Sequence, residues 1–310
     1  SENRNLKDVQ SICLNLAVAY NLIDNLDATY SGILYINKAE FITQKIGHRP
    51  IIDYKICFTK AQLFSKDYKR DIDLSKKYYR KAYSYAVNLN DSTKMRNALF
   101  GLGTLYNTTD PDSSLKYLLT TVNKYYVKDS ISNYLCLNAL SETFAHKGML
   151  EKAIYYSKLG LSEIGIKTNV SLSLAFSQID RSNFKLRLKY AFPQLGSIYL
   201  KRWELNVNRF DLDSSIHYFN LADHNIDMLR RTSKAYRSKL FWRQISTDIY
   251  GKALRACYLK QDPEQAWFFM EKNKALLLSQ DKAELQYRQS LDLPLEFLMR
   301  ESELKEQLVD

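Results

Sequence analysis

LSETFAHKGMLEKAIYYSKLG, residues Leu140–Gly160, holds two amphipathic runs separated by a single glycine. In the first run an apolar residue, a small one and an aromatic follow in order, as Leu140, Ser141 and Phe144. In the second run Ala153 and Gly160 lie seven apart, two turns along one face of a helix. Gly148 sits between the runs, where a tight reversal needs a residue free of a side chain. A small residue on one helix lets its neighbour approach to roughly 8–10 Å, and an aromatic one turn later fills the space beside it. The stretch therefore reads as a helical hairpin.

Copies of the first run recur as Leu16-Ala17-Tyr20, Leu102-Gly103-Tyr106 and Leu195-Gly196-Tyr199. Weaker copies are Ala61 with Phe64, and a run ending at Leu254 and Tyr258. Each is followed by a second amphipathic segment: Gly32 to Ala39, Ser75 to Ala82, Ser114 to Thr121, Ser215 to Ala222, and one from Ala266. This pattern resembles that of tetratricopeptide repeats. The expected fold is all-α, a solenoid of about six helical hairpins in which each unit buries its apolar face against its neighbours. The small positions 17, 61, 103, 141 and 196 are 44, 42, 38 and 55 residues apart. All exceed the repeat family's period of about 34, so longer helices or insertions are expected. Asp91-Ser92, Asp110-Pro111, Asp213-Ser214 and Asp262-Pro263 read as helix starts. Val170, Leu172, Leu174 and Phe176 alternate as in a strand, but Val170, Leu174 and Ile179 also suit a helix. Helix is the reading adopted, because a lone strand has no partner. The expected organisation is N-terminal repeats over 1–165, longer-helix repeats over 166–290 continuous with them, and a helix over 291–310.

Composition agrees. Only 9 Gly and 5 Pro occur in 310 residues, too few for the turns of a sandwich or barrel or for the loops of a nucleotide-binding sheet. The 23 Tyr are expected to pack between helices. No run of 18 apolar residues occurs, and SENRNLKDVQ enters an amphipathic helix with no secretion pattern. Cys13, Cys57, Cys136 and Cys257 are scattered singly and read as reduced core thiols, which favours a cytoplasmic setting.

The last third is more specific. DLDSSIHYFNLADHNIDMLRR (Asp211–Arg231), DIYGKALRACYLKQDPEQAWFFMEKNKALLLSQ (Asp248–Gln280) and LPLEFLMRESELKEQL (Leu293–Leu308) resemble the segment that precedes the protease domain in CHAT-domain proteins. Those proteins join tetratricopeptide repeats to a caspase-like peptidase domain. AWFFMEKNKALLL (Ala266–Leu278) carries the resemblance most sharply. It implies that this chain is the N-terminal scaffold of such a protein, with a peptidase domain and its His and Cys dyad beyond Asp310. No catalytic residue is carried over.

The residues themselves offer little chemistry. Cys13 and Cys57 stand four before the small residues Ala17 and Ala61, on the inward face. His48 and His146 fall in different repeats from each other and from His217 and His224, whose seven-residue spacing is too wide for one metal. No phosphate loop, HExxH or GxSxG motif occurs. The expectation is a non-enzyme without cofactor or metal.

In the repeat family, the concave surface is built from the first helix of each hairpin. The resemblance places Gln62, Lys66, Thr104, Asn107, Glu142 and His146 there, with Lys55, Asn97 and Leu135 one turn earlier. A protein or peptide segment is the expected partner, or the chain's own downstream domain. The net charge of +11 is uneven. Met228 to Lys260 holds nine basic residues against one acidic, and Arg230, Lys234 and Arg237 would form one stripe on a helix. That stripe is the alternative site, for nucleic acid or an acidic protein surface. Nucleic acid is the lesser reading, since no base-reading motif accompanies the charge.

Overall fold

The computed structural model describes residues 2–23, 25–66, 70–125, 129–232 and 236–275. These fold as helices, with no strand among them. Their contacts divide into two compact units, Ser1–Thr168 and Asn169–Asp310.

The first unit contains four hairpins: α1 (Glu2–Leu22) with α2 (Leu26–Ile46), α3 (Pro50–Ser65) with α4 (Ile72–Asn88), α5 (Ser92–Tyr106) with α6 (Pro111–Lys124), and α7 (Ser130–His146) with α8 (Leu150–Glu163). Each hairpin also packs on the next, α2 on α3, α4 on α5 and α6 on α7. Short polar side chains set the starts. Asp91 and Asp110 accept from the amides of Lys94 and Ser113, as expected, and Asn25, Asp71 and Asp129 act in the same way. Gly148 closes the α7–α8 turn at φ +73°, a backbone region that favours glycine.

The second unit contains α9 (Leu172–Arg181), α10 (Lys185–Asn206), α11 (Arg209–Thr232), α12 (Tyr236–Lys260) and a helix α13 over 263–275. The ambiguous segment is helical from Leu172; Val170 lies in the bend before it. Asp262 caps α13 through the Gln265 amide. Asp213 caps nothing, because α11 starts four residues earlier at Arg209. Asn208 accepts there from the Phe210 amide, and Asp213 pairs instead with Lys260.

The small positions meet in pairs, and serine hydroxyls join them. Ser75 Oγ donates to the Ala61 carbonyl at 2.6 Å. Ser114 donates to Gly103, and Ser215 to Gly196, both at 2.8 Å. In the fourth hairpin the direction reverses, and Ser141 donates to Ala153 at 2.8 Å. A side chain as short as serine reaches the opposite main chain only where two helices lie in contact. The helix carbonyl's second lone pair takes the bond without disturbing the helix ladder. A Cβ on Gly103 would stand 2.6 Å from Leu118, and one on Gly196 2.9 Å from Phe219.

One turn along, a ring from each helix stacks on a ring from the other. The pairs are Tyr20–Tyr35, Phe64–Tyr78, Tyr106–Tyr117, Phe144–Tyr156 and Tyr199–Tyr218, with centroids 5.2–5.9 Å apart and planes within 20°. Much of the tyrosine content is explained by this packing. The last hairpin departs from it: Tyr258 is 80% exposed, and Tyr250 meets Phe269 instead. The buried face of α12 runs through Tyr250, Ala253, Ala256 and Cys257, so the run expected at Leu254 and Tyr258 is out of register with it.

Tyr250 also belongs to a buried polar clasp. Its hydroxyl donates to Asp223 Oδ1 at 2.7 Å, and Lys272 of α13 bridges Asp223 (3.1 Å) and Asp227 (2.6 Å) of α11. Burial raises the Asp223 carboxyl above its ordinary value, although Tyr250 and Lys272 oppose the shift. Burial pulls the Lys272 ammonium down, but Asp227 and Asp223 outweigh it and hold it above its ordinary value. Lys272→Met leaves Asp223 without a cation, held only by the Tyr250 hydroxyl, and the Lys272 side chain is 30% exposed. The expected loss is about 2 kcal/mol, below the full cost of breaking a buried pair. A carboxyl with a raised folded pKa holds its proton more tightly when folded, so acid favours the folded form. The Lys272→Met penalty should therefore be fullest at neutral pH and shrink as pH falls through the folded-state pKa of Asp223, above 3.8. Urea melts of both proteins across pH check this.

Candidate interaction groove

The C-terminal halves of α3, α5 and α7 carry the residues expected to face a ligand, and they converge with the start of α4. A cleft of 330 Å³ opens there, lined by Arg70, Ile72, Tyr79, Thr104, Asn107 and Glu142 among others. Its floor is aromatic and its walls polar. Tyr79 is buried beneath it, with burial raising its phenol above the ordinary value.

Asn107 joins two first helices at the cleft. It ends α5, its amide donates to the Thr104 carbonyl, and its own carbonyl accepts from His146 Nδ1 at 3.2 Å. The residue is only 6% exposed, and its Oδ1 is buried without a hydrogen-bond partner among the described residues. Thr104 donates to the Gly101 carbonyl at 2.9 Å and remains exposed, as does Glu142.

The other expected groove residues are distributed differently. Gln62 accepts from Asn21 of α1 at 3.0 Å, and Lys66 donates to the Ile23 carbonyl at 2.8 Å. Both fasten the third helix to the end of the first. Asn97 bonds to Tyr54, and Lys55 is exposed away from the cleft lining. His146 reaches the site only through Asn107. Arg70 and Thr108 also line the cleft. Both lie outside the helices, where helical periodicity has nothing to say.

The expected basic stripe does not lie on one helix. Arg230 lies on α11 and Arg237 on α12, two separate helices packed on each other, and Lys234 lies outside the described residues. A charge period does not reveal that the helix ends between its members. Arg230 stands 3.8 Å from Asp227, and Lys252, Arg255 and Lys260 pair with Asp248, Glu204 and Asp213. In the second basic stretch, Arg202 grips Asp211 with two hydrogen bonds.

All four cysteines are buried and free. Desolvation pushes the Cys57 thiol up to about 11 and those of Cys136 and Cys257 up to about 12. Such thiols stay protonated and inert at neutral pH. His224 stacks on Phe176 and bonds Asp180, while His217 packs against Tyr218. Among the described residues no group of three or more His, Cys, Asp or Glu converges as a metal site, and no helix is long and apolar enough to cross a membrane. No protein-family model matches the chain, and no curated protein matches it.

Proposed function

We propose that this chain is a non-catalytic protein-interaction scaffold whose groove along α3, α5 and α7 holds an extended segment of a protein partner. The observation that carries the reading is the cleft over Tyr79, walled by Arg70, Thr104, Asn107 and Glu142. An extended peptide supplies backbone donors and acceptors at regular intervals, which suits walls made of amide, hydroxyl and charge. The inert thiols fit a scaffold better than an enzyme.

We further propose that the scaffold is the sensing part of a CHAT-type protease and regulates that domain. This rests on the resemblance of Asp211–Leu308 to the segment preceding such domains. Asp223, Asp227 and Lys272 lie within the resembling stretches, so the clasp that fixes α13 falls where a scaffold would hand a signal onward.

Selection of random displayed peptides on the chain, followed by binding measurements on the winners, tests the groove. Thr104 is exposed, so Thr104→Arg should leave the melting temperature unchanged while narrowing the cleft. Affinity is expected to fall at least about tenfold, which corresponds to about 1.4 kcal/mol. In a protein that joins this chain to a peptidase domain, the same peptides should alter cleavage and Thr104→Arg should abolish the response. Winners that bind the Thr104→Arg chain equally well would remove the groove from the account.

A further inference from the structure

From α2 to α8 the carboxylates of the first unit have evident uses. The aspartate caps hold helix starts. Asp27, Asp73 and Glu151 lie in first turns, where the helix dipole favours negative charge. Glu40, Asp53 and Asp112 pair with Lys60, His48 and Lys147, and Glu163 accepts from Asn133. Glu142 is the exception among the described residues of these helices. It lies one turn from the end of α7, where the dipole disfavours a carboxylate, and its side chain has no ion pair or hydrogen bond with any described residue. His146, four residues on, turns its Nδ1 to the Asn107 carbonyl instead.

That carboxylate stands in the cleft over Tyr79, together with Thr104 of α5. Arg70 lines the cleft too, from the segment before α4, but forms no ion pair with Glu142. Ile72, Tyr79 and Leu105 give the same cleft an apolar lining. The Thr104 hydroxyl proton is spent on the Gly101 carbonyl, so a ligand meets its lone pairs. A negative head beside apolar surface complements lysine or arginine, which join a charged tip to an aliphatic stem. The long-range field of a chain with net charge +11 works the other way and draws acidic segments. A basic residue is therefore chosen here by local contact alone.

We infer that Glu142 is the specificity-determining residue of the groove, and that the bound protein segment carries a lysine or arginine at that point. The stem of this residue lies against the apolar lining, and its head meets Glu142 with Thr104 Oγ1 as a second acceptor. The segment crosses the groove with its basic residue nearest α7. This inference rests on the proposed peptide groove and names what that groove selects.

Peptides selected on the native chain at about 0.15 M salt, which screens the long-range field, supply the test. Winners that Thr104→Arg weakens are bound in the groove, and they are expected to share a lysine or arginine at one position. Replacing that residue by methionine should weaken binding to the native chain about fivefold, the upper range for an exposed ion pair. The same replacement should change binding to the Glu142→Gln chain by less than about twofold. Selection on the Glu142→Lys chain should put aspartate or glutamate in its place. Groove-bound winners with no shared basic residue would overturn the inference and leave the groove standing. A methionine replacement that weakens both chains equally would do the same. Winners indifferent to Thr104→Arg would remove the groove and this inference together. The methionine replacement changes only the peptide, so the native-chain result is decisive even where a Glu142 variant does not fold.

Discussion

Gly101→Val is expected to cost the first unit about 4 kcal/mol, and Gly101→Ala about 2 kcal/mol in the same direction. A Cβ at residue 101 would meet three carbons of the Tyr79 ring, each closer than 3.0 Å. The ring cannot swing aside easily, because it is 6% exposed and packs edge-on against Phe58. Valine adds two methyl groups to that overlap. The alanine variant is the sharper test of sign, since glycine to alanine inside a helix should by itself gain about 1 kcal/mol. Gly251 provides the control: it lies inside α12 with no heavy atom within 4 Å of an added Cβ, so Gly251→Ala should stabilise. Chemical denaturation of both alanine variants reads the difference. If Gly101→Ala stabilises as Gly251→Ala does, α4 and α5 do not approach as described.

Leu140→Ala is expected to cost about 3–4 kcal/mol, with Leu102→Ala close behind. Leu140 is fully buried and Leu102 is 2% exposed, each immediately before a small position where two helices touch. The neighbouring main chain is held by the Ser141 and Ser114 hydroxyl bonds, so the cavity left by truncation cannot close by moving a helix. Leu22, 81% exposed, should tolerate the same change within about 0.5 kcal/mol. Equal losses at Leu22 and Leu140 would contradict the burial described, and urea melts decide it.

The hairpins were legible because their contacts repeat. Leu-small-aromatic runs mark a helix face, and Asp91, Asp110 and Asp262 mark starts, since both signals are local in the chain. The hydroxyl-to-carbonyl bonds were not foreseen. Serine at residues 75, 114 and 215 reads simply as small, and only two backbones in contact turn the hydroxyl into a link. Asp213 and Tyr258 misled for a related reason. Capping residues and aromatics also occur inside helices, and only the neighbouring helix decides which is used. Arg230 and Arg237 fall on two helices because charge spacing persists across a helix end.

The groove was partly legible. Thr104 and Asn107 of α5 meet Glu142 of α7 because successive first helices stack in register, which the repeat spacing implies. Gln62 and Lys66 share that register, but their partners at the end of α1 draw them away from the cleft. The link from His146 to the Asn107 carbonyl joins residues 39 apart, and no local pattern announces it.

A crystal structure of the chain with its tightest selected peptide bears most directly on the proposed role. The account predicts an extended peptide across α3, α5 and α7, lying over Tyr79 with its backbone and side chains beside Thr104 and Glu142. A peptide bound elsewhere, with the cleft over Tyr79 empty, would contradict it.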